Sequence, residues 1–166
     1  MATAALLTRT LAARDPDEAG HAARVTELAL RLAEALEAGA SRIDIDAIRN
    51  GGPLHDIGNL AVDPEILRKP GALDPEELEV IRTHPVAGTR MLEGIKSLRG
   101  ALDCILHHHE RWDGAGYPHA LSGDAIPIEA RILAVAYAYD AMTTDRPYRS
   151  ASRPLRRAAL RELRWR

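Results

Sequence analysis

Apolar positions recur at three- and four-residue steps along almost the whole chain, the spacing that lays a hydrophobic stripe down one side of an α-helix. The stripe is clearest over residues 18–38, where Val25, Leu28, Ala29, Leu32, Ala33 and Leu36 predict a long amphipathic helix stopped by Gly39. Ahead of it, residues 2–13 read as a short first helix. Beyond it, Ser41 is the expected cap of a helix over 43–57, bent or broken by Gly51-Gly52-Pro53. Asp74-Pro75-Glu76-Glu77 has the form of a capping box with Pro at the first helical position. That helix should run to about Thr83, because Pro85 disfavours helical geometry at His84. Another helix is expected after Pro85, and a further one over roughly 98–110. Gly114, Gly116, Pro118, Gly123 and Pro127 make 112–127 a loop. Residues 128–143 form the most apolar helix, with Ile132, Leu133, Val135 and Ala136 buried, and Ser152 or Arg153 before Pro154 opens a last, Arg-rich one. No segment alternates as a strand does. The pattern predicts an all-α bundle of about six or seven helices, with residues 1–166 as one domain.

Composition narrows the class. A chain of 166 residues, 46% hydrophobic and 28% charged, can bury a core without staples and is not a disordered one. Phenylalanine is absent, so that core must come from Leu, Ile, Val and Ala. The single cysteine, Cys104, excludes an internal disulfide and fits a reducing, cytoplasmic setting. No apolar run nears the ~20 residues of a membrane-spanning helix, and the N-terminus lacks the basic region of a signal peptide. The net charge of -2 gives no reason to expect a nucleic-acid polymer as partner. Charge is segregated all the same, since residues 146–166 carry eight Arg and one acid. Such a tail can bind anions, although a solvated helix face is the commoner reading.

Candidate chemistry lies in the seven histidines. His55-Asp56 is an adjacent pair near a helix end, and His108-His109, followed by Glu110, is a tandem pair near another. His21 opens the long second helix, and His84 sits at a helix break. Helix ends are where side chains from different helices converge. Imidazole and carboxylate suit Zn, Fe, Mn or Ni. The lack of cysteine ligands points away from a structural zinc site and toward an open, water-holding one. Two ions ~3.5–4 Å apart, with activated water as nucleophile, suit phosphodiester hydrolysis. Taken singly, each histidine reads more simply as a surface or capping residue. His119, after Pro118 in a polar loop, keeps that reading, and His107 should face away from the tandem pair.

Taken together, Gly20-His21 with Arg24-Val25, His55-Asp56-Ile57-Gly58, Thr83-His84-Pro85, the run His108 to Pro118, Arg131 to Ala136 and Asp145 to Arg149 resemble the HD-GYP domain, a subgroup of the HD phosphohydrolases. The resemblance spans about residues 15–160 and implies an HD-like helical bundle. It further implies hydrolysis of the bacterial second messenger cyclic di-GMP to pGpG or GMP at two divalent metal sites. By the same resemblance, His21, His55 and Asp56 serve one metal, and Asp56 bridges to a second served by His84, His108 and His109. Asp56 and His55 become the candidate catalytic residues. Tyr117, Arg146, Arg149 and Asp140 become candidate substrate contacts, Asp140 with the alternative of supporting a ligand from behind. In a trinuclear subgroup a carboxylate precedes the first His by four residues. Asp17 stands there and is read as a helix cap.

Three departures qualify the match. The family's Ile-Gly-Lys is Ile57-Gly58-Asn59, which loses a positive charge. Its Ala-Asp-x-Phe-Asp-Ala is Ala136-Tyr137-Ala138-Tyr139-Asp140-Ala141, which puts a phenol in place of a metal-binding carboxylate. The first metal is then expected to be one ligand short, with water or Asp140 to complete it. The family's further C-terminal helices are expected to be truncated here and no N-terminal sensory domain is expected, so that regulation acts in trans or the chain is a fragment. Two other readings follow. One is a catalytically weak pseudo-enzyme that senses metal or nucleotide, or engages a protein partner through Gly116-Tyr117-Pro118. The other is an HD phosphohydrolase of a different phosphorylated nucleotide, against which the intact His108–Pro118 run argues. A homodimer remains open.

Overall fold

In the computed structural model, which describes residues 2–14, 16–37 and 43–144, the amphipathic stripe becomes α2 (Pro16–Glu37), with Val25, Ala29 and Ala33 fully buried. Leu36, counted in the same stripe, is 42% exposed. Periodicity marks the face of a helix but not how far its neighbours extend. α1 (Ala2–Arg14) lies against α2. The helix expected over 43–57 is shorter. α3 (Ile45–Gly51) gives way at the Gly-Pro step to a single 3₁₀ turn over Gly52–Leu54. Its cap is Asp44, whose carboxylate accepts from the Ala47 N–H at 3.0 Å; Ser41 and the expected stop at Gly39 lie outside the described residues. A second 3₁₀ turn (Ile57–Ala61) and the one-turn α4 (Pro64–Leu67), which periodicity had not marked, follow.

α5 (Pro75–Arg82) begins with the expected capping box, since Asp74 and Glu77 each accept the other's backbone N–H at 2.9 Å. α6 (His84–Leu92) starts directly after Thr83. The 98–110 prediction resolves into a 3₁₀ segment (Lys96–Ala101) and α7 (Leu102–His107). Residues 112–127 form a loop with one short 3₁₀ turn at Gly123–Ala125 and an isolated bridge between Asp113 and Ser122. α8 (Ile128–Thr143) is the apolar helix, with Ile132, Leu133 and Ala136 buried and Val135 only partly so. No β-strand occurs among the described residues, and the predicted all-α class holds. The Arg-rich tail, including Arg146, Arg149 and the Ser152–Pro154 start, lies outside the described residues.

Two apolar clusters hold the elements together. One joins α2, α3, α7 and α8 through Val25, Ile48, Cys104 and Leu133. The other joins α1, the 52–61 turns, α6 and α7 through Ala4, Leu54, Leu92 and Ile105. Fully burying one such aliphatic side chain contributes ~1.5–3 kcal/mol, so aliphatic residues alone supply the core that phenylalanine does not. Between the clusters, α2 packs against α8, and α6 packs against the 57–61 turn and α7. The ends of these elements meet where the histidines are. None of the described helices is long and apolar enough to cross a membrane.

Candidate metal centre

Asp56 is the point where two sets of ligands meet. The 57–61 turn that it opens lies tight against the start of α6. A Cβ on Gly58 would stand 1.8 Å from the His84 carbonyl oxygen, so only glycine allows this approach. The contact brings Asp56 Oδ1 to 3.0 Å from His84 Nε2 and 3.7 Å from His108 Nε2. Asp56 Oδ2 lies 3.1 Å from His55 Nε2. Asp56, His84, His108 and His109 each offer a ligand atom within 4.8 Å of the others, and so do Glu18, His21, His55 and Asp56.

The imidazoles are aimed by their own backbones. His55 Nδ1 donates to Gly52 O, His84 Nδ1 to Ile81 O and His108 Nδ1 to Ile105 O, each at 2.7 Å and each to the carbonyl three residues back. Those carbonyls lie at helix or turn ends, and each has a lone pair available to the ring. With Nδ1 committed as donor, Nε2 is the nitrogen turned toward Asp56. His21 lies in the second turn of α2, not at its opening. It is held from behind, its Nδ1 2.6 Å from Asp140 Oδ2. Arg24 grips the same buried carboxylate through Nε at 2.7 Å and Nη2 at 3.1 Å. Thr144 adds a hydroxyl to Oδ1. These contacts make Asp140 a support for His21.

Electrostatics divide the two sets. His108 is driven down to about 4 by burial, reinforced by the charges of His55 and His84 against the pull of Asp56. Burial and His108 hold His109 well below its ordinary value. Both are therefore neutral near pH 7, the form a metal ion requires. Burial also opposes charge on His55, but Asp56 overrides it and raises His55 to about 9. Burial would likewise raise Asp56. The charge of the paired His55 outweighs that and holds Asp56 well below the carboxylate range.

Tyr137 stands inside the cluster, its ring centroid 5.2 Å from that of His21, 5.9 Å from His55 and 5.1 Å from His109. Tyr117 stacks on His109 at 4.8 Å and 21°. The loop that delivers it depends on Gly116, where a Cβ would meet Arg111 N at 2.4 Å and the Glu110 Cα at 2.5 Å. Burial pushes the Tyr117 hydroxyl up, with Tyr137 and Asp56 adding to it. A cavity of about 190 Å³ opens beside Asp56, and Glu18, Asn59, Leu60 and Arg68 are in its wall.

The structure thus brings together His21, His55, Asp56, His84, His108, His109 and Tyr117, with Asp140 behind His21. Arg146 and Arg149 lie outside the described residues. Asp17 falls in the first turn of α2, and its side chain is not among those described. Three residues escaped the sequence reading. Glu18 joins His21 and His55 from one turn earlier on α2, a three-residue spacing that places both on one face. Arg68 lines the cavity, and the Arg82 guanidinium sits 5.7 Å from the Tyr117 ring centroid. The spacing of Glu18 was a readable signal, whereas nothing local marked either arginine.

The donors fit a divalent transition ion. They are imidazole and carboxylate without thiolate, and His55 Nε2 is buried with no aligned hydrogen-bond partner.

Residues 5–164 match the HD domain family, and the chain belongs to it, with the HD-GYP residues named above. It is 43% identical over 147 residues to a cyclic di-GMP phosphodiesterase of Thermotoga maritima, covering 87% of this chain and 39% of that protein. A cyclic di-GMP phosphodiesterase response regulator of Xanthomonas campestris is 41% identical over 152 residues, covering 90% and 39%. A 3'3'-cGAMP-specific phosphodiesterase of Vibrio cholerae is 38% identical over 145 residues, covering 86% and 27%. The chain therefore spans well under half the length of these relatives. The fold also resembles that of Bd1817, an HDG"Y"P protein from Bdellovibrio bacteriovorus, with a TM-score of 0.60 at 24% identity, covering 72% of this chain and 39% of that one.

Proposed function

We propose that this chain is a metal-dependent phosphodiesterase acting on cyclic di-GMP, with two metal sites that share Asp56. The observation that carries the reading is the pair of ligand sets converging on one carboxylate. His84, His108 and His109 would hold one ion with Asp56, and Glu18, His21 and His55 the other. When bound, a divalent pair supplies Lewis-acid polarisation of the phosphate and an activated water. The chain's own part is positional. Asp56 sets the separation of the two sets, three backbone carbonyls fix the imidazoles, and Asp140 with Arg24 orients His21. Tyr117, stacked on His109, would form a wall for a guanine base. Arg68 and Arg82 bring positive charge to the neighbourhood of a doubly anionic substrate, and Arg146 and Arg149 are proposed to face its phosphates.

The test is hydrolysis of cyclic di-GMP by the purified chain loaded in turn with Mn, Fe, Ni and Zn. Release of pGpG or GMP supports the reading. Turnover of 3'3'-cGAMP with none of cyclic di-GMP would redirect the substrate assignment. Tyr137 and Asn59 favour a second reading, a weak or inactive sensor, because a neutral phenol and an amide replace two charged groups. Under that reading the chain binds the dinucleotide without cleaving it in any metal form.

A further inference from the structure

The histidine just before the tandem pair belongs to a different group. His107 ends α7 with its ring against that of His119, the centroids 5.3 Å apart. Its Nδ1 is 3.7 Å from Glu110 Oε1. Ligand atoms of His107, Glu110 and His119 all lie within 4.8 Å of one another. His107 is 9% exposed and Glu110 4%, while His119 is open to solvent.

Two observations set this trio apart from a chance gathering of polar residues. The first is the rigidity of Glu110. Its Oε1 accepts the His119 N–H at 2.7 Å and its Oε2 accepts the Leu121 N–H at 3.0 Å. The left-handed backbone of Ala120, at φ 54°, lies between these two donors. Each carboxylate oxygen keeps a second lone pair. The second is His107 Nδ1, a buried nitrogen with no hydrogen-bond partner. Buried polar atoms are nearly always satisfied, and an exception points to strain, a water or an ion as the partner. Two donors ~2.1 Å from a tetrahedral ion stand about 3.4 Å apart, close to the separation of His107 Nδ1 and Glu110 Oε1.

We infer that His107, Glu110 and His119 form a further metal site, separate from the Asp56 centre, which takes a divalent transition ion of the zinc class. Two imidazoles and one carboxylate make three protein ligands, and the exposed side of His119 leaves the fourth position to water. Calcium and magnesium, which prefer oxygen, are disfavoured. An ion here ties the far end of the Tyr117 loop to the end of α7 and so clamps the loop next to the main centre.

The experiment counts zinc and does not depend on hydrolysis. Wild-type chain and His119→Ala are saturated with Zn²⁺, desalted and measured by plasma mass spectrometry. In parallel, ¹H–¹⁵N spectra of the histidine rings are followed as Zn²⁺ is added. His119 is exposed, so its removal leaves the helices intact, which circular dichroism checks. The expected result is one equivalent fewer in His119→Ala, with zinc-dependent shifts of the His107 ring lost in the variant and those of His84 and His108 retained. Equal zinc counts in the two proteins would overturn the proposal. So would a His107 ring that never responds to zinc, which would leave water as the partner of Nδ1.

Discussion

The two halves of the Asp56 centre use the same kinds of ligand in opposite states of readiness. Around His84, His108 and His109, burial has already removed the competing proton from His108 and His109. Around His21 and His55, the carboxylate that would help to hold a metal instead holds a proton on His55. The same half leans on Glu18 for a further donor, while the Tyr137 ring lies as close to His109 as to His21. Residue types alone therefore do not define a site. Whether a histidine is a free ligand or half of an ion pair depends on how its neighbour's charge weighs against its own burial.

The largest effect expected is from Asp56→Ala, which removes the shared carboxylate. Both metal equivalents should be lost, and hydrolysis should fall by at least about 10³-fold, measured by elemental analysis and nucleotide chromatography. Loss of a single equivalent would break the picture of a common ligand. Next comes pH. His55 must shed its proton before it can bind, so affinity at its half should fall about tenfold per unit below pH 9, or roughly 100-fold from pH 8 to pH 6. Calorimetry in buffers of different ionisation enthalpy should find close to one proton released there at pH 7. The His108 half should release almost none, because His108 titrates near 4.

Asp140→Asn then separates support from ligation. It leaves a side chain of the same shape behind His21 but no charge for Arg24 to grip. Affinity at the His21 half should fall about 10- to 100-fold, with the other half unchanged. The smallest effect should come from Tyr137→Asp, which supplies the missing carboxylate. Zinc or manganese occupancy of the weaker half and turnover should both rise, by about tenfold. If Glu18 already completes that shell, Glu18→Gln will lower occupancy while Tyr137→Asp changes little, and the two variants together decide which residue fills the position.

Much of this was legible in the chain because it was local. The capping box at Asp74, the stop near Thr83 and the apolar helix over 128–143 follow from spacing and from Pro and Gly chemistry. Gathering His21, His55, His84 and the tandem pair needed the family motif, since those residues come from four separate places in the chain. What escaped depended on tertiary approach. Asp44 caps α3 while its own N–H is drawn to Glu129 on α8, a contact 85 residues away in sequence that no local pattern marks. Glu18 gains meaning only once α2 is rotated to face Asp56. His119 reads as surface and is exposed, but that Glu110, nine residues earlier, accepts its backbone N–H across a turn is something no periodicity describes.

The three carbonyl clamps on His55, His84 and His108 carry a consequence for how such a centre can change over evolutionary time. Each ring is aimed by the peptide three residues before it, so its direction is written within a single turn of its own segment. Loss of one donor need not unseat the others. A lineage could therefore exchange an acid for Tyr137 and keep the surviving imidazoles pointed inward, and a single reversal would find them still in place. Modular aiming of this kind makes a binuclear centre tolerant of drift and cheap to restore.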